Sequence, residues 1–187
     1  MSEYTSRFDY KEFLVDLFRE HGFQQFVGAE VGVWGGDTSV SLLKAFPSLT
    51  LYMVDHWELG AGIDTSVLNM RKERLLKKHR LHAEKQTSFA EDRRTLVRNF
   101  SVKACEGFED ESLDFVFIDA NHQYDYVKED LVAWFPKVKP GGVFCGHDYG
   151  SKRERRGMWG VKKAVDEFAL KLEYPVKDQA QIWWFVK

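Results

Sequence analysis

"QFVGAEVGVWGGDTSVSLLKAFPSLTLYMVD", residues 25–55, places a glycine-rich turn between two apolar runs. "QFVGAEVGV" and "LTLYMVD" have the length and side chains of buried strands. "DTSVSLLKAFP" between them reads as a helix, with Asp37, Thr38 or Ser39 available as its cap and Pro47 closing it. Two strands joined through a helix run parallel, so this unit points to an α/β fold.

The same alternation continues on both sides. Upstream, "DYKEFLVDLFREHG" carries a helical stripe at Phe13, Leu14, Leu17 and Phe18, opening at Asp9 and stopping at Gly22. Downstream, "TLVRN", "SLDFVFID" and "GGVFCGHD" read as strands, the last entered through the turn "KPGG". Helices are expected at "SVKACEGF", at "YDYVKEDLVAWF" (apolar at Tyr126, Val127, Leu131, Trp134 and Phe135) and at "GVKKAVDEFALKL". "EYPVKD" and "QIWWFVK" follow as strands joined by residues 178–180, too short a link for a crossover, so they pair as an antiparallel hairpin. The pattern predicts a doubly wound sheet with helices on both faces and an antiparallel strand near one edge. Neighbours in Trp183-Trp184-Phe185 should face opposite sides of it. Residues 60–83 are highly charged and helical in propensity, entered through Gly60-Ala61-Gly62. They read as an insertion in a single domain spanning residues 1–187.

Bulk properties narrow the function. A chain of 187 residues, 44% hydrophobic and 30% charged, suits one globular core. A net charge of −2 supplies no field for nucleic acid or an anionic membrane. Cys105 and Cys145 form no zinc or disulfide pattern, no stretch approaches a membrane span, and the N-terminal residues lack an apolar signal core. The expectation is a cytoplasmic protein.

In open α/β sheets, ligands sit beyond the carboxyl ends of the strands, where "EVGVWGGDTS" falls. Gly32, Gly35 and Gly36 do not have dinucleotide-loop spacing, Trp34 stands at the second glycine position, and Glu30 would repel a pyrophosphate. A cationic cofactor without phosphate fits better, and S-adenosylmethionine is one. Glu30 can hold its ammonium directly or through water, the helix start at 37–39, including Ser39, its carboxylate, and Asp55 its ribose hydroxyls. On the reacting side, Asp119, Asn121 and His122 leave one strand and His147, Asp148 and Tyr149 the next. Adjacent strands would gather them at one rim, where a hydroxyl acceptor needs a base or a metal to remove its proton.

With these residues the chain resembles the class I S-adenosylmethionine-dependent methyltransferases, in the bacterial small-molecule branch where "FIDxxHxY", "KPGG" and "GHDY" follow in order. The resemblance runs from about residue 26 onward and implies a seven-stranded Rossmann-like sheet with its last strand antiparallel. It implies cofactor contacts from Glu30, Gly32, Gly36 and Asp55, with His56 and Trp57 flanking the adenine and Trp34 a bulky departure in the turn. "RNFS" stands where many members carry an acid contacting the adenine amine, so Asn99 or Ser101 is the expected substitute. Related O-methyltransferases hold a divalent ion at the positions of Asp119, His147 and Asp148. Magnesium prefers oxygen ligands, so a metal-free base, His122 or His147, stays open beside it. The expected reaction is O-methylation of a small molecule, with N-methylation or non-catalytic S-adenosylmethionine binding as alternatives. The basic run Lys152, Arg153, Arg155 and Arg156 beside the pocket suggests an acidic acceptor. Arg71, Lys72, Arg74, Lys77, Lys78 and Arg80 form a second basic surface, read as a substrate lid, an interaction surface or a solvated helix face.

Overall fold

The computed structural model describes residues 9–58 and 67–187. Gly60-Ala61-Gly62 lies outside the described residues. Helix α1 (Tyr10–His21) forms as its ends dictate: the Asp9 carboxylate accepts from the Lys11 N–H, and Gly22 closes it with a φ of 82°. Then come β1 (Phe26–Val31), α2 (Asp37–Ala45), β2 (Leu49–Asp55), α3 (Val67–Gln86), β3 (Arg94–Arg98), α4 (Ser101–Cys105) and β4 (Leu113–Ile118). After these run α5 (Tyr124–Trp134), β5 (Val138–Gly146), α6 (Lys152–Arg155), α7 (Val161–Lys171), β6 (Lys177–Gln179) and β7 (Ile182–Val186).

The strands form one seven-stranded sheet in the order β3-β2-β1-β4-β5-β7-β6. All pairings are parallel except those of β7, which lies antiparallel between β5 and β6. The fold is thus Rossmann-like, and the terminal hairpin is present. Side-chain alternation divides the core. Phe18, Leu42, Leu43, Phe115 and Phe117 bury one face under α1 and α2, while Val116, Leu131, Trp134, Val165 and Phe185 bury the other under α5 and α7. Trp183 and Phe185 face one side and Trp184 the other. Strand order reverses between β1 and β4, which places the topological switch point at their carboxyl ends.

Three local expectations need correction. The cap of α2 is Gly36 (φ 87°), and none of Asp37, Thr38 or Ser39 serves. Thr38 and Ser39 are buried inside the helix, Thr38 bonded to the Tyr10 hydroxyl at 3.0 Å and Ser39 donating to Glu30. Residues of "KPGG" belong to β5, but as an irregularity: Leu113 pairs with Val138, and the next pair is Phe115 with Val143. The charged helix runs on to Gln86, past residue 83, and its last turns lie on the glycine turn. His79 stacks on Trp34 with ring centroids 3.9 Å apart. A Cβ on Gly36 would come within 3.0 Å of the Ala83 backbone. Arg71, Lys72, Arg74, Lys77 and Lys78 are exposed, with Arg80 half-buried and paired to Glu84.

Candidate active site

At the switch point lies a cavity of about 700 Å³. The ends of β1 and β2 line it with Gly32, Trp34, Val54, Asp55 and His56; the β3–α4 turn with Asn99, Phe100 and Ser101; and the end of β4 with Asp119, Asn121 and His122. Helix α5 adds Tyr126, Glu129 and Asp130, and Met158 and Trp159 close one side. Its volume falls within the range of small-molecule sites. Four of its lining residues are acidic and none is Lys or Arg, while its histidines His56 and His122 are engaged by Asp55, Asp119 and Asp148, so pyrophosphate would meet repulsion. A sulfonium and an ammonium would not.

Gly32 has a φ of 96°, and a Cβ there would sit 2.2 Å from the Asp119 carbonyl oxygen. The absence of a side chain lets the end of β4 approach the turn, where the Asp119 N–H donates to Val31 at 2.7 Å. Asp55 ties the turn from the other side. Its Oδ2 accepts from the N–H groups of Val33 (3.0 Å) and Trp34 (2.8 Å). Its Oδ1 accepts from the Trp57 N–H (2.9 Å) and faces His56 Nδ1 at 3.0 Å. Burial opposes its ionisation, but His56 and the Trp34 and Trp57 amides outweigh that and hold the carboxyl below its ordinary range. Those four partners occupy a carboxylate's capacity of about four bonds. Of those partners the His56 side chain is the one open to solvent, 42% exposed.

Several expected residues lie behind the cavity wall. Glu30 is buried beneath the turn, accepting from Ser39, and burial pushes its carboxyl well above the usual range. Trp57 is buried too, its indole N–H donating to the Trp34 carbonyl at 2.8 Å, so its ring is packed in the core rather than laid along the cavity. Gly36 faces α3. Tyr149 turns towards α7, its hydroxyl donating to Asp166 at 2.5 Å.

The polar groups at the ends of β4 and β5 do converge. His122 Nε2 lies 3.3 Å from Asp119 Oδ1 and 2.9 Å from Asp148 Oδ2. His147 Nδ1 lies 3.6 and 3.4 Å from the same two oxygens. Among the described residues, Asp119, His122 and Asp148 bring one ligand atom each within 4.8 Å of one another, so His122 stands in that set where His147 was expected. Burial disfavours both imidazolium ions, yet the two carboxylates prevail and raise each histidine to about 9. The histidines in turn hold Asp148 well below the carboxylate range despite its burial. Each ring has an aromatic partner: Tyr10 on His147 (3.9 Å) and Trp159 on His122 (4.1 Å). Beyond this cluster lies a second hollow of about 450 Å³, lined by Asp148, Lys152, Arg153, Arg155, Trp159 and Gln181.

Tyr10, Trp159 and Asp130 were not picked out from the sequence. Asp130 carried a readable signal, being the acid inside the buried stripe Val127, Asp130, Leu131 and Trp134 of α5. Tyr10 and Trp159 reach the site only through tertiary packing.

A seven-stranded sheet with this strand order, and a cation-favouring cavity at its switch point, define the class I S-adenosylmethionine-dependent methyltransferases. The chain belongs to the methyltransferase-domain family whose model matches residues 29–149. It is 33% identical over 97 residues to the uncharacterized protein y4gI of Sinorhizobium fredii, and that match spans 52% of this chain and about a tenth of the relative's length. In fold it is similar to a Staphylococcus aureus protein assigned as a caffeoyl-CoA O-methyltransferase (TM-score 0.70, 12% identity, 97% of this chain and 86% of the other). It is similar also to the O-methyltransferase NovP (0.66, 16%, 95% and 78%). A third is the mycinamycin-pathway methyltransferase MycE, solved with Mg and SAH (0.60, 18%, 94% and 48%). At these identities the structural likeness establishes the fold alone.

Proposed function

We infer that this chain transfers the methyl group of S-adenosylmethionine to a hydroxyl of a small acidic molecule. One observation carries the reading: the acidic cavity and the basic hollow share Trp159 and meet at the cluster, with Asp119 and His122 lining the first and Asp148 the second. S-adenosylmethionine supplies an electrophilic methyl group on its sulfonium. An acceptor in the basic hollow, its anionic group against Lys152, Arg153 and Arg155, would present its hydroxyl at the junction. Displacement there is in line, so alignment by the two walls supplies much of the acceleration.

The hydroxyl proton must leave as the bond forms. His122 and His147, held as imidazolium at neutral pH, are poor bases in that state. A divalent cation held by Asp119, His122 and Asp148 would provide Lewis-acid activation of the acceptor hydroxyl. Two carboxylates and an imidazole suit manganese or zinc at least as well as magnesium, and MycE, of the same fold, was solved with Mg.

The test is methyl transfer from labelled cofactor to hydroxy acids, phosphorylated sugars, their uncharged counterparts and amines. Label should enter the anionic hydroxyl compounds, and Asp148→Asn should lower turnover roughly 10²- to 10⁴-fold with cofactor affinity nearly unchanged. Chelation should abolish transfer and manganese or magnesium restore it. Transfer confined to amines or to uncharged acceptors overturns the acceptor assignment. Full activity in chelator, rising with pH towards 9, replaces the metal by a histidine base.

A further inference from the structure

Asp130 is 4% exposed, yet it lines the cavity. It lies on the inner stripe of α5 where Val127, Leu131 and Trp134 are apolar core residues, so packing alone would place a Leu or Ala there. A buried carboxyl is expensive unless something bonds to it. Nearby Ser101 accepts from the Trp134 indole N–H at 2.9 Å, which directs its own proton elsewhere. That hydroxyl favours the ionised form of Asp130, but burial is the larger effect and pushes the carboxyl up to about 6. The basic side chains on the cavity wall are His56, engaged by Asp55, and His122, engaged by Asp119 and Asp148, so among the described residues no cation is paired with Asp130. A carboxylate accepts about four hydrogen bonds, and the Ser101 hydroxyl accounts for one.

Asp130 also stands at a particular end of the cavity. Together with Asn99, Phe100, Ser101 and Tyr126 it walls the end between the β3–α4 turn and α5, away from the cluster at Asp119 and His122. Phe100 packs against His56 at 5.1 Å, and both are on the cavity wall. A cofactor whose sulfonium lies at the cluster places its base at this end, where flat aromatic walls suit a purine. The strand end that supplies this turn, "RNFS", has no acid of its own.

We propose that Asp130, from helix α5, reads the adenine of the cofactor by accepting a hydrogen bond from its exocyclic amine, with Ser101 orienting the carboxylate. The proposal rests on the cavity being the cofactor site. An N–H donor on the base satisfies the buried carboxylate, whereas a base with a carbonyl oxygen in that place sets acceptor against acceptor. Asp130 is therefore the residue that selects adenine over hypoxanthine.

The experiment measures Kd by calorimetry for S-adenosylhomocysteine and for its deaminated counterpart, S-inosylhomocysteine, with wild type, Asp130→Asn and Asp130→Ala. Wild type should prefer the adenine form at least tenfold. The preference should shrink to within about twofold in Asp130→Ala, chiefly by loss of affinity for the adenine form. Asp130→Asn is close to isosteric, carries an amide that can donate to the hypoxanthine oxygen, and should shift the ratio in the same direction. A variant that binds both nucleosides with the wild-type ratio overturns the proposal. So does a uniform loss of both affinities in Asp130→Asn, because a structural role would weaken both alike. Wild type binding both equally overturns the proposal while leaving the cofactor site standing; wild type binding neither removes the cofactor-site reading with it.

Discussion

Glu30 lies under the glycine turn with Ser39 donating to it, and its burial favours the protonated carboxyl. The folded chain therefore keeps a proton that the unfolded chain releases above an ordinary value of 4.5. Where the native state binds more protons, stability falls as pH rises, here from about 4.5 up to the raised folded value. Glu30→Gln removes that loss. It should raise the melting temperature more at pH 8 than at pH 5, and equal shifts at both would remove this account. At this scale the sequence was legible in kind and not in depth. An acid at the end of β1 was plain, as was the gathering of Asp119, His122, His147 and Asp148 on two neighbouring strands. That Glu30 sits behind the cavity wall depends on how far α2 tilts Ser39 beneath the turn. That His122 joins the two carboxylates depends on the path of the chain after β4, on which residue spacing is silent.

Helices α1 and α3 show how elements are placed by their ends and contacts. The Asp9 cap and Gly22 stop of α1 were readable because each is a local interaction. The Gly36 cap of α2 was not, because its reason lies in another element: α3 crosses the turn and leaves no room for a side chain. Gly36→Ala should be costly twice, through its φ of 87° and through the approach to Ala83. A loss of about 1–3 kcal/mol is expected, seen in chemical denaturation as a lower midpoint with unchanged slope. An unchanged midpoint would mean that α3 is held elsewhere. The charge of α3 drew attention to its basic surface, yet His79, His82 and Ala83 are the side chains that lie against the turn. Charged positions dominate the pattern of a helix that is mostly exposed and conceal the few that pack.

Across the whole molecule, the cavity draws its walls from β1, β2, β4, α5 and the β3–α4 turn. A ligand filling it bridges both sides of the switch point and should stabilise the entire sheet. Ligand at 100 times its Kd adds about 2.7 kcal/mol, or roughly 5–11 °C for a domain of this size. S-adenosylhomocysteine should produce that shift and NAD should not, because the cavity meets pyrophosphate with four carboxyls and its His122 is already engaged by Asp119 and Asp148. A shift with NAD alone would reverse the electrostatic reading. The architecture was the most legible level, since parallel strands, crossovers and hairpin each follow from pattern and link length. Among the described residues, no helix is long and apolar enough to cross a membrane.

Strand β7 has a consequence for how the protein is made. It fills the place between β5 and β6, so β5 keeps one bare edge until every element from α6 to β6 has been synthesised. The turn carrying His147 and Asp148 is likewise incomplete, because the Tyr149 N–H is bound by Gln181, next to β7, at 3.1 Å. The turn after β5 is thus set only once β7 is in place. Until then, an apolar strand edge stands open to neighbours and needs shielding on the ribosome.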